Sequence, residues 1–263
     1  MKGSQKPEAR SQKGALPSRK AVGSWFRRRP LCHSGFWLLA SGFLFLSSFW
    51  LLVVAAHAQG TYTLDQVLAK MEENGKTFRS MQASMERTKV TVIVNDKAVD
   101  SGSVYFTRKD KEPRIMVEIT KPEQQRMLID QGKALLYFPK LKQVQEYFLG
   151  KNQEKAEFLL IGFGQSNQDI RKFYDTTSAG EEIIDGQKTS ILDLKPKSTQ
   201  VSALFNNIRL WIDQQRWIPI QSRLTEASGD YMLVKFTNIK MNVRIPESVF
   251  NLKLPKDVKT IKL

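Results

Sequence analysis

Acidic side chains near the ends of predicted strands are the first candidates for chemistry. They are Asp130, Asp185, Asp193, Asp213 and the pair Glu181-Glu182. Two carboxyl groups flanking a glycosidic bond could hydrolyse it, one acting as acid and the other as base or nucleophile. Asp and Glu are, however, also favoured in turns because they form local hydrogen bonds, and nothing here fixes a distance between two of them. The carboxylates alone therefore do not predict an enzyme.

The first 58 residues have the composition of an export leader. Nine Lys or Arg against the single acid Glu8 precede an apolar run from Phe36 to Ala56. The run closes on Ala56-His57-Ala58, a small-x-small site of the kind that signal peptidase cuts. We expect export to the periplasm, cleavage after Ala58 and one mature domain, residues 59–263. The apolar run is also long enough to span a bilayer, so an uncleaved anchor is the alternative.

Removal of this leader would also remove residue types that catalysis often needs. His33, His57 and Cys32 are the only His and Cys of the chain. A mature chain without them has no Ser-His-Asp triad, thiolate nucleophile, disulfide or ordinary zinc site. No run of alternating acids with a central Gly suggests a calcium loop. We therefore expect a protein that is not an enzyme, with no catalytic residue, cofactor or metal.

The leader also carries much of the positive charge. The whole chain has 41 basic and 26 acidic residues, and nine basic and one acidic lie in the first 58, leaving 32 against 25, a net charge of +7. This excess suits an anionic membrane surface or an acidic partner, and equally an ordinary solvated surface. Export argues against nucleic acid as a partner.

A helix followed by short strands is the expected order of elements. Thr63 and Gln66 have the spacing of a capping box, and apolar residues recur at three- and four-residue steps after them. Alternating apolar residues then predict strands of an antiparallel meander. The first three strands have their apolar faces at Val90, Val92 and Val94, at Val104 and Phe106, and at Ile115, Val117 and Ile119.

The meander continues to the C-terminus with one interruption. Strands are expected at Leu135–Phe138, Val144–Leu149, Thr189–Leu194, Ile208–Asp213, Trp217–Thr225 and Tyr231–Asn242. The interruption, from about Asn152 to Tyr174, has helical character. Its apolar run from Phe158 to Phe163 predicts either a buried helix or a movable hydrophobic lid. The sheet offers more apolar surface than a few helices can cover, so it either curls around a cavity or closes on its own side chains.

The order of several motifs resembles a known family. These motifs are Gly102-Ser-Val-Tyr-Phe106, Leu128-Ile-Asp130-Gln-Gly132-Lys-Ala-Leu-Leu-Tyr137, Trp211-Ile-Asp213 and Trp217-Ile-Pro219. From Thr63 onward the chain is similar to the periplasmic outer-membrane lipoprotein carriers, the LolA-like proteins. The resemblance implies a mainly β (α+β) fold. A single curved antiparallel sheet would form an open half-barrel, with a few helices covering its concave apolar face.

The resemblance also implies a ligand and partners. A monomer would hold the acyl chains of a lipoprotein and shuttle it from an inner-membrane transporter to an outer-membrane acceptor. The expected lipid-binding cavity is formed by Val92, Val104, Phe106, Ile115, Val117, Ile119, Phe158, Leu159, Ile161 and Phe163. A carrier of a free lipid and an envelope regulatory protein with the same fold are the alternatives.

One position departs from the family pattern. Well-studied carriers have a basic residue, thought to help hold the lid closed, just before the proline that opens the third strand. This chain has Glu112 before Pro113, with Arg108, Lys111 and Arg114 nearby. The sequence therefore does not say which residue, if any, holds a lid.

Overall fold

This computed structural model describes residues 61–109, 112–149 and 161–263, all within one compact unit, residues 57–263. The expected leader, Phe158 and Leu159 lie outside the described residues. Three α-helices are present in the described part: α1 (Leu64–Thr77), α2 (Asn167–Phe173) and α3 (Thr199–Ser202). The same described part contains two 3-10 helices, Pro139–Leu141 and Glu247–Phe250. None of the helices described is long and apolar enough to cross a membrane.

Twelve strands make up one sheet in the described part of the chain. They are β1 (Ser80–Thr91), β2 (Asp96–Lys109), β3 (Glu112–Lys121), β4 (Gln125–Asp130), β5 (Lys133–Phe138), β6 (Gln143–Phe148), β7 (Tyr174–Ile184), β8 (Gln187–Pro196), β9 (Asn207–Asp213), β10 (Pro219–Thr225), β11 (Tyr231–Met241) and β12 (Lys259–Lys262). Their order across the sheet is β12-β6-β5-β4-β3-β2-β1-β11-β10-β9-β8-β7.

The sheet consists of two antiparallel meanders that share one junction. Strands β1 to β6 form the first and β7 to β11 the second, and they meet where β1 pairs with β11. The edge strands β12 and β7 are not paired with each other in the described structure, so the curved sheet stays open. The predicted mainly β fold with an open half-barrel is confirmed.

Helices α1 and α2 cover one half of the concave face. Val67, Leu68 and Met71 share one face of α1 and are buried against apolar residues of β8 and β9. Burying an aliphatic side chain of this size contributes about 1.5–3 kcal/mol. The predicted cover of helices over the concave apolar face is therefore confirmed.

The capping box predicted at the start of α1 is present. The Thr63 hydroxyl accepts from the Gln66 backbone N–H at 3.3 Å, and the Thr63 N–H donates to Gln66 Oε1 at 2.9 Å. Both bonds satisfy donors that the first helical turn leaves without intrahelical partners.

Loss of this cap should destabilise the fold modestly. We expect Thr63→Ala to lower the free energy of unfolding by about 1 kcal/mol, because one helix donor loses its acceptor. Thr63→Ser retains the hydroxyl and serves as the control. Urea unfolding followed by circular dichroism measures both variants, and equal losses in the two would contradict a capping role.

The convex face has its own small core. Met116 and Leu128 of adjacent strands pack with Phe250 of the C-terminal 3-10 helix. Arg114 lies 4.7 Å from the Phe250 ring centre and bonds Asp130 and Glu247 at 3.0 and 2.6 Å. The C-terminal segment therefore covers the face opposite to the one that the α-helices cover.

Strands β1, β7 and β12 differ from what the sequence predicted. Strand β1 begins at Ser80 and ends at Thr91, so Val92 and Val94 lie in the following turn, where Asn95 has a φ of +50°. Strand β7 was not predicted, because it is an edge strand that is exposed along much of its length. Strand β12 adds a parallel pairing with β6 to a sheet expected to be antiparallel throughout.

Candidate functional site: an apolar cavity on the concave face

A cavity of about 310 Å³ lies on the concave face of the sheet. Its described lining is apolar except for Arg87 and Ser222. The apolar lining residues are Met81, Met85, Val104, Phe106, Ile115, Val117, Met127, Ile129, Ile161, Phe163, Phe205, Ile208, Leu210, Pro219, Leu224, Met232, Val234 and Phe236. Pockets that bind small ligands commonly measure about 300–1,000 Å³ and are mostly apolar. The cavity is therefore large enough for part of a hydrocarbon ligand.

Strand pairing explains why these side chains face one another. Val104 of β2 lies opposite Val117 of β3, and Phe106 lies opposite Ile115. Ile115 in turn lies opposite Ile129 of β4. Directly paired residues point to the same side of a sheet, so each row adds to one apolar wall.

Six of the predicted cavity residues line the cavity: Val104, Phe106, Ile115, Val117, Ile161 and Phe163. Ile119 is buried on β3 but is not among the lining residues. Val92 is not among the lining residues, because β1 ends before it and its side chain is half exposed in the turn. Phe158 and Leu159 lie outside the described residues, so their place in the cavity stays a prediction.

The sequence analysis missed the half of the wall contributed by β9, β10 and β11. Ile208 and Leu210 of β9 line the cavity, as do Met232, Val234 and Phe236 of β11. Arg209 separates Ile208 from Leu210, and Lys235 separates Val234 from Phe236, although the apolar Leu233 lies between Met232 and Val234. Both sets lie in stretches that were predicted as strands. Their period-two spacing could have assigned them to the concave face, as it did for β2 and β3.

A short loop, residues 161–164, covers part of the cavity, and we call it the covering loop. Ile161 and Phe163 are both buried and face the cavity. The Phe163 ring lies edge-on to Phe236 of β11, with ring centres 5.9 Å apart, and 6.3 Å from Phe78. The loop therefore contacts β11 and the residue that follows α1.

Glycines allow the covering loop to lie this close to its neighbours. Gly162 and Gly164 have φ values of +84° and +81°, which residues with a side chain rarely adopt. A Cβ on Gly162 would come within 2.8 Å of the Pro219 ring, and one on Gly75 of α1 within 3.0 Å of the Gly164 Cα. Any larger residue at these positions would displace the loop from α1 and β10.

Arg108, on β2, donates hydrogen bonds to the covering loop. Its Nη2 donates to the backbone carbonyls of Phe163 at 3.2 Å and Gly164 at 3.3 Å. Burial lowers the pKa of the Arg108 guanidinium below its usual value, and the charge of Arg79 lowers it further. Arg108 lies opposite Pro113, on the strand next to the position where the family pattern places a basic residue. From the sequence, Arg108 was only one of three basic residues near Pro113, with Lys111 and Arg114.

The candidate catalytic carboxylates are held in other interactions. Asp193 accepts two hydrogen bonds of 2.7 Å from Arg209, which hold the pKa of Asp193 below its usual value. Asp130 pairs with Arg114, Asp213 with Arg216, and Asp185 with Lys235. Glu181 pairs with Lys188, and Glu182 accepts from the Trp211 indole N–H. These contacts account for the carboxylates as parts of the fold. In the described ranges no group of three or more Asp, Glu, His or Cys is placed to hold a metal ion.

The fold and the cavity define a class of protein, an open β half-barrel with an apolar cavity on its concave face. Residues 76–253 match the model of one family, described as outer membrane lipoprotein carrier protein LolA. The chain therefore belongs to the LolA family, as the sequence motifs predicted.

Individual relatives are distant in sequence. An outer-membrane lipoprotein carrier protein of Legionella pneumophila (strain Paris) is 27% identical over 81% of this chain and 96% of its own length. The protein of the same name in Pseudomonas putida (strain W619) is 22% identical over 80% and 90%. A crystal structure of MucB matches at 14% identity, with a TM-score of 0.47, over 72% of this chain and 62% of MucB. The chain thus spans less than two thirds of MucB, and this match adds nothing to the family assignment.

Proposed function

We propose that this protein binds the acyl chains of lipoproteins in its concave cavity and carries them through the periplasm from the inner to the outer membrane. The observation that carries the proposal is a cavity wall in which only two of the described lining residues are polar. Each methylene buried in such a wall contributes about 0.8 kcal/mol. The two carrier relatives support lipoproteins as the cargo, because their names state that role.

Transport also requires release of the ligand. The covering loop places Phe163 against the cavity wall, where it occupies space next to the lining of β11. A ligand that displaces the covering loop would break the two hydrogen bonds that Arg108 donates to it. Closure of the loop then competes with the lipid and lowers its net affinity, which favours handover.

The remaining parts of the proposal follow the expected transport route. The leader directs the chain to the periplasm and is cleaved after Ala58. The mature protein acts as a monomer without a cofactor and receives its cargo from an inner-membrane transporter. An outer-membrane acceptor then takes the cargo. Binding and release involve no covalent step, so the protein acts as a carrier and not as an enzyme.

Identification of the bound lipid tests this function directly. We expect protein purified from its native envelope without detergent to contain acylated lipoprotein, detectable by mass spectrometry of the intact complex and of extracted material. Val117→Glu, purified in parallel, provides the control for lipid bound outside the cavity. Recovery of free phospholipid alone would instead indicate a free-lipid carrier. Absence of any lipid, together with failure to bind a synthetic triacylated lipopeptide, would refute a carrier role.

A further inference from the structure

The two polar residues of the cavity wall lie in one row across the sheet. Arg87 of β1 and Ser222 of β10 both lie opposite Val234 of β11, and Arg87 also lies opposite Asp100 of β2. Paired residues share a face, so all three polar side chains belong to the concave side. We call Asp100, Arg87 and Ser222 the polar row. Neighbouring strands are about 4.8 Å apart, which places the backbones of Arg87 and Ser222 roughly 10 Å from each other.

The ion pair in the polar row leaves hydrogen-bonding capacity unused. Arg87 donates from both Nε and Nη2 to a single oxygen, Oδ2 of Asp100, with the Nε bond at 2.8 Å. The Nη1 group of Arg87 donates to none of the described residues. On the convex face, Arg209 instead uses Nε and Nη2 on the two separate oxygens of Asp193, at 2.7 Å each. Arg87 thus keeps a charged donor available in the wall of an apolar cavity.

The side chains on the concave face of β1 become more buried from Arg87 toward Met81. The side chain of Arg87 is 34% exposed, whereas Met85 and Met81, further along the same face, are 7% and 2% exposed. The next residue of this face beyond Arg87 is the exposed Lys89. On the β1 side of the cavity, the apolar wall therefore begins at the polar row and deepens toward Phe106. A ligand with a hydrocarbon chain and a polar end would place the polar end at Arg87.

The charges in the polar row determine which polar group of a ligand can bind there. Asp100 already neutralises Arg87, so a second carboxylate would meet both the attraction of Arg87 and the repulsion of Asp100. A neutral carbonyl oxygen accepts a hydrogen bond from Nη1 without that repulsion. The Ser222 hydroxyl can donate to a second carbonyl on the same row.

We infer that the polar row is a subsite for the neutral ester or amide carbonyls at the head of bound acyl chains, whose hydrocarbon extends toward Phe106. This inference rests on the proposed function, since it assigns the orientation of a ligand in the same cavity. One hydrogen bond from a charged donor changes affinity by about tenfold or more. Loss of the subsite should therefore affect ligands that carry a carbonyl and spare those that do not.

A double variant and three small ligands test the inference. Arg87→Met with Asp100→Leu removes the ion pair without leaving one charge alone, and Ser222→Ala removes the hydroxyl separately. Affinities of dodecane, methyl laurate and laurate are measured by displacement of a fluorescent fatty-acyl probe from the full-length protein as purified from expressing cells. Arg209→Met with Asp193→Leu, which removes the convex ion pair, is the matched control. Thermal unfolding shows whether each variant remains folded.

We expect the Arg87 and Asp100 double variant to bind methyl laurate about tenfold less tightly than the wild type. Its affinity for dodecane should stay within about twofold or rise, and the convex control should change neither. Ser222→Ala should weaken methyl laurate by a smaller factor. Equal loss for dodecane and methyl laurate, or loss for neither, would overturn the carbonyl subsite. A loss specific to laurate would overturn the preference for a neutral carbonyl.

The same assay separates failure of the subsite from failure of the proposed function. A wild type that binds neither these three ligands nor a triacylated lipopeptide would refute the carrier function itself, whatever the polar row does. A triacylated lipopeptide and a diacyl phospholipid both contain neutral acyl carbonyls, and they are the last two ligands to be measured in this assay. A loss of affinity in the double variant for either one supports the subsite and identifies the source that it accepts, whereas a loss for neither overturns it.

Discussion

Val117→Glu should leave the protein folded but abolish lipid retention. Val117 lies in the middle of β3, opposite Val104 and Met127, and its side chain is only partly buried because it lines the cavity. A carboxylate there can reach water in the empty cavity, so the loss in unfolding free energy should be about 1–2 kcal/mol. A bound acyl chain would expel that water and leave the charge unsolvated. A cost of about 3 kcal/mol corresponds to at least a hundredfold weaker lipid binding.

Glutamate substitutions at Met116 and Val92 serve as comparisons for Val117→Glu. Met116, the preceding residue, points to the convex core and is 1% exposed, so Met116→Glu should cost several kcal/mol and unfold a marginal domain. Val92 is 50% exposed in the turn after β1, so Val92→Glu should change stability by no more than about 0.5 kcal/mol. Val92→Glu should also retain lipid normally, because the residue is outside the cavity.

Circular dichroism melts combined with a lipid-retention assay measure all three variants. Unfolding of Val117→Glu to the same degree as Met116→Glu would mean that β3 meets close-packed side chains and no cavity. A folded Val117→Glu that retains lipid would place the acyl chains elsewhere. Loss of lipid by Val92→Glu would show that Val92 belongs to the lipid-binding surface.

The sequence predicted β2 and β3, which have strong apolar alternation, but it placed β1 too late in the chain and missed the exposed edge strand β7. Val104 with Phe106, and Ile115 with Val117, are large β-forming residues at alternate positions, and both pairs line the cavity as expected. Much of β1 is the stretch from Met81 to Met85, in which apolar residues also alternate. Methionine and alanine have weaker strand preference than the valines of residues 90–94, so the prediction moved the strand toward the valines.

The misplaced strand explains why Val92, predicted to line the cavity, lies outside the observed wall. Pairing of β1 with β2 ends at Thr91 and Asp96, and Asn95 closes the turn with its N–H bonded to the Val92 carbonyl at 3.2 Å. Residues inside a turn do not alternate between the two faces of a sheet. High strand preference in a short valine run could not by itself reveal where the pairing stops.

Contacts between segments distant in the chain could not be predicted from local patterns. Arg108 and Gly164 are 56 residues apart, and their contact depends on the position of the covering loop beneath α1. The row of Asp100, Arg87 and Ser222 requires β11 to lie between β1 and β10. That junction joins the two meanders, and neither alternation nor turn spacing specifies it.

Removal of the Arg108 side-chain charge should make the protein retain lipid more strongly and hand it over more slowly. Arg108 donates hydrogen bonds to the Phe163 and Gly164 carbonyls and so stabilises the covering loop in the position that we propose competes with the ligand. Hydrogen bonds from a charged donor contribute about 1.5–3 kcal/mol, and Arg108→Met loses them while keeping an apolar stem. We therefore expect about tenfold tighter binding of a triacylated lipopeptide, measured by equilibrium binding. Transfer of the lipopeptide to acceptor vesicles should slow by a similar factor.

Arg114→Met is the matched control for this prediction. Arg114 lies on the adjacent strand β3 and also donates hydrogen bonds, but its partners are the carboxylates of Asp130 and Glu247 on the convex side and not the covering loop. Its loss should lower stability without changing lipid affinity or the rate of transfer. Faster loss of lipid from Arg108→Met would show that the covering loop closes over the ligand and retains it, so that closure and binding act together. Equal behaviour of the two arginine variants would mean that the Arg108 bonds stabilise the fold and do not regulate release.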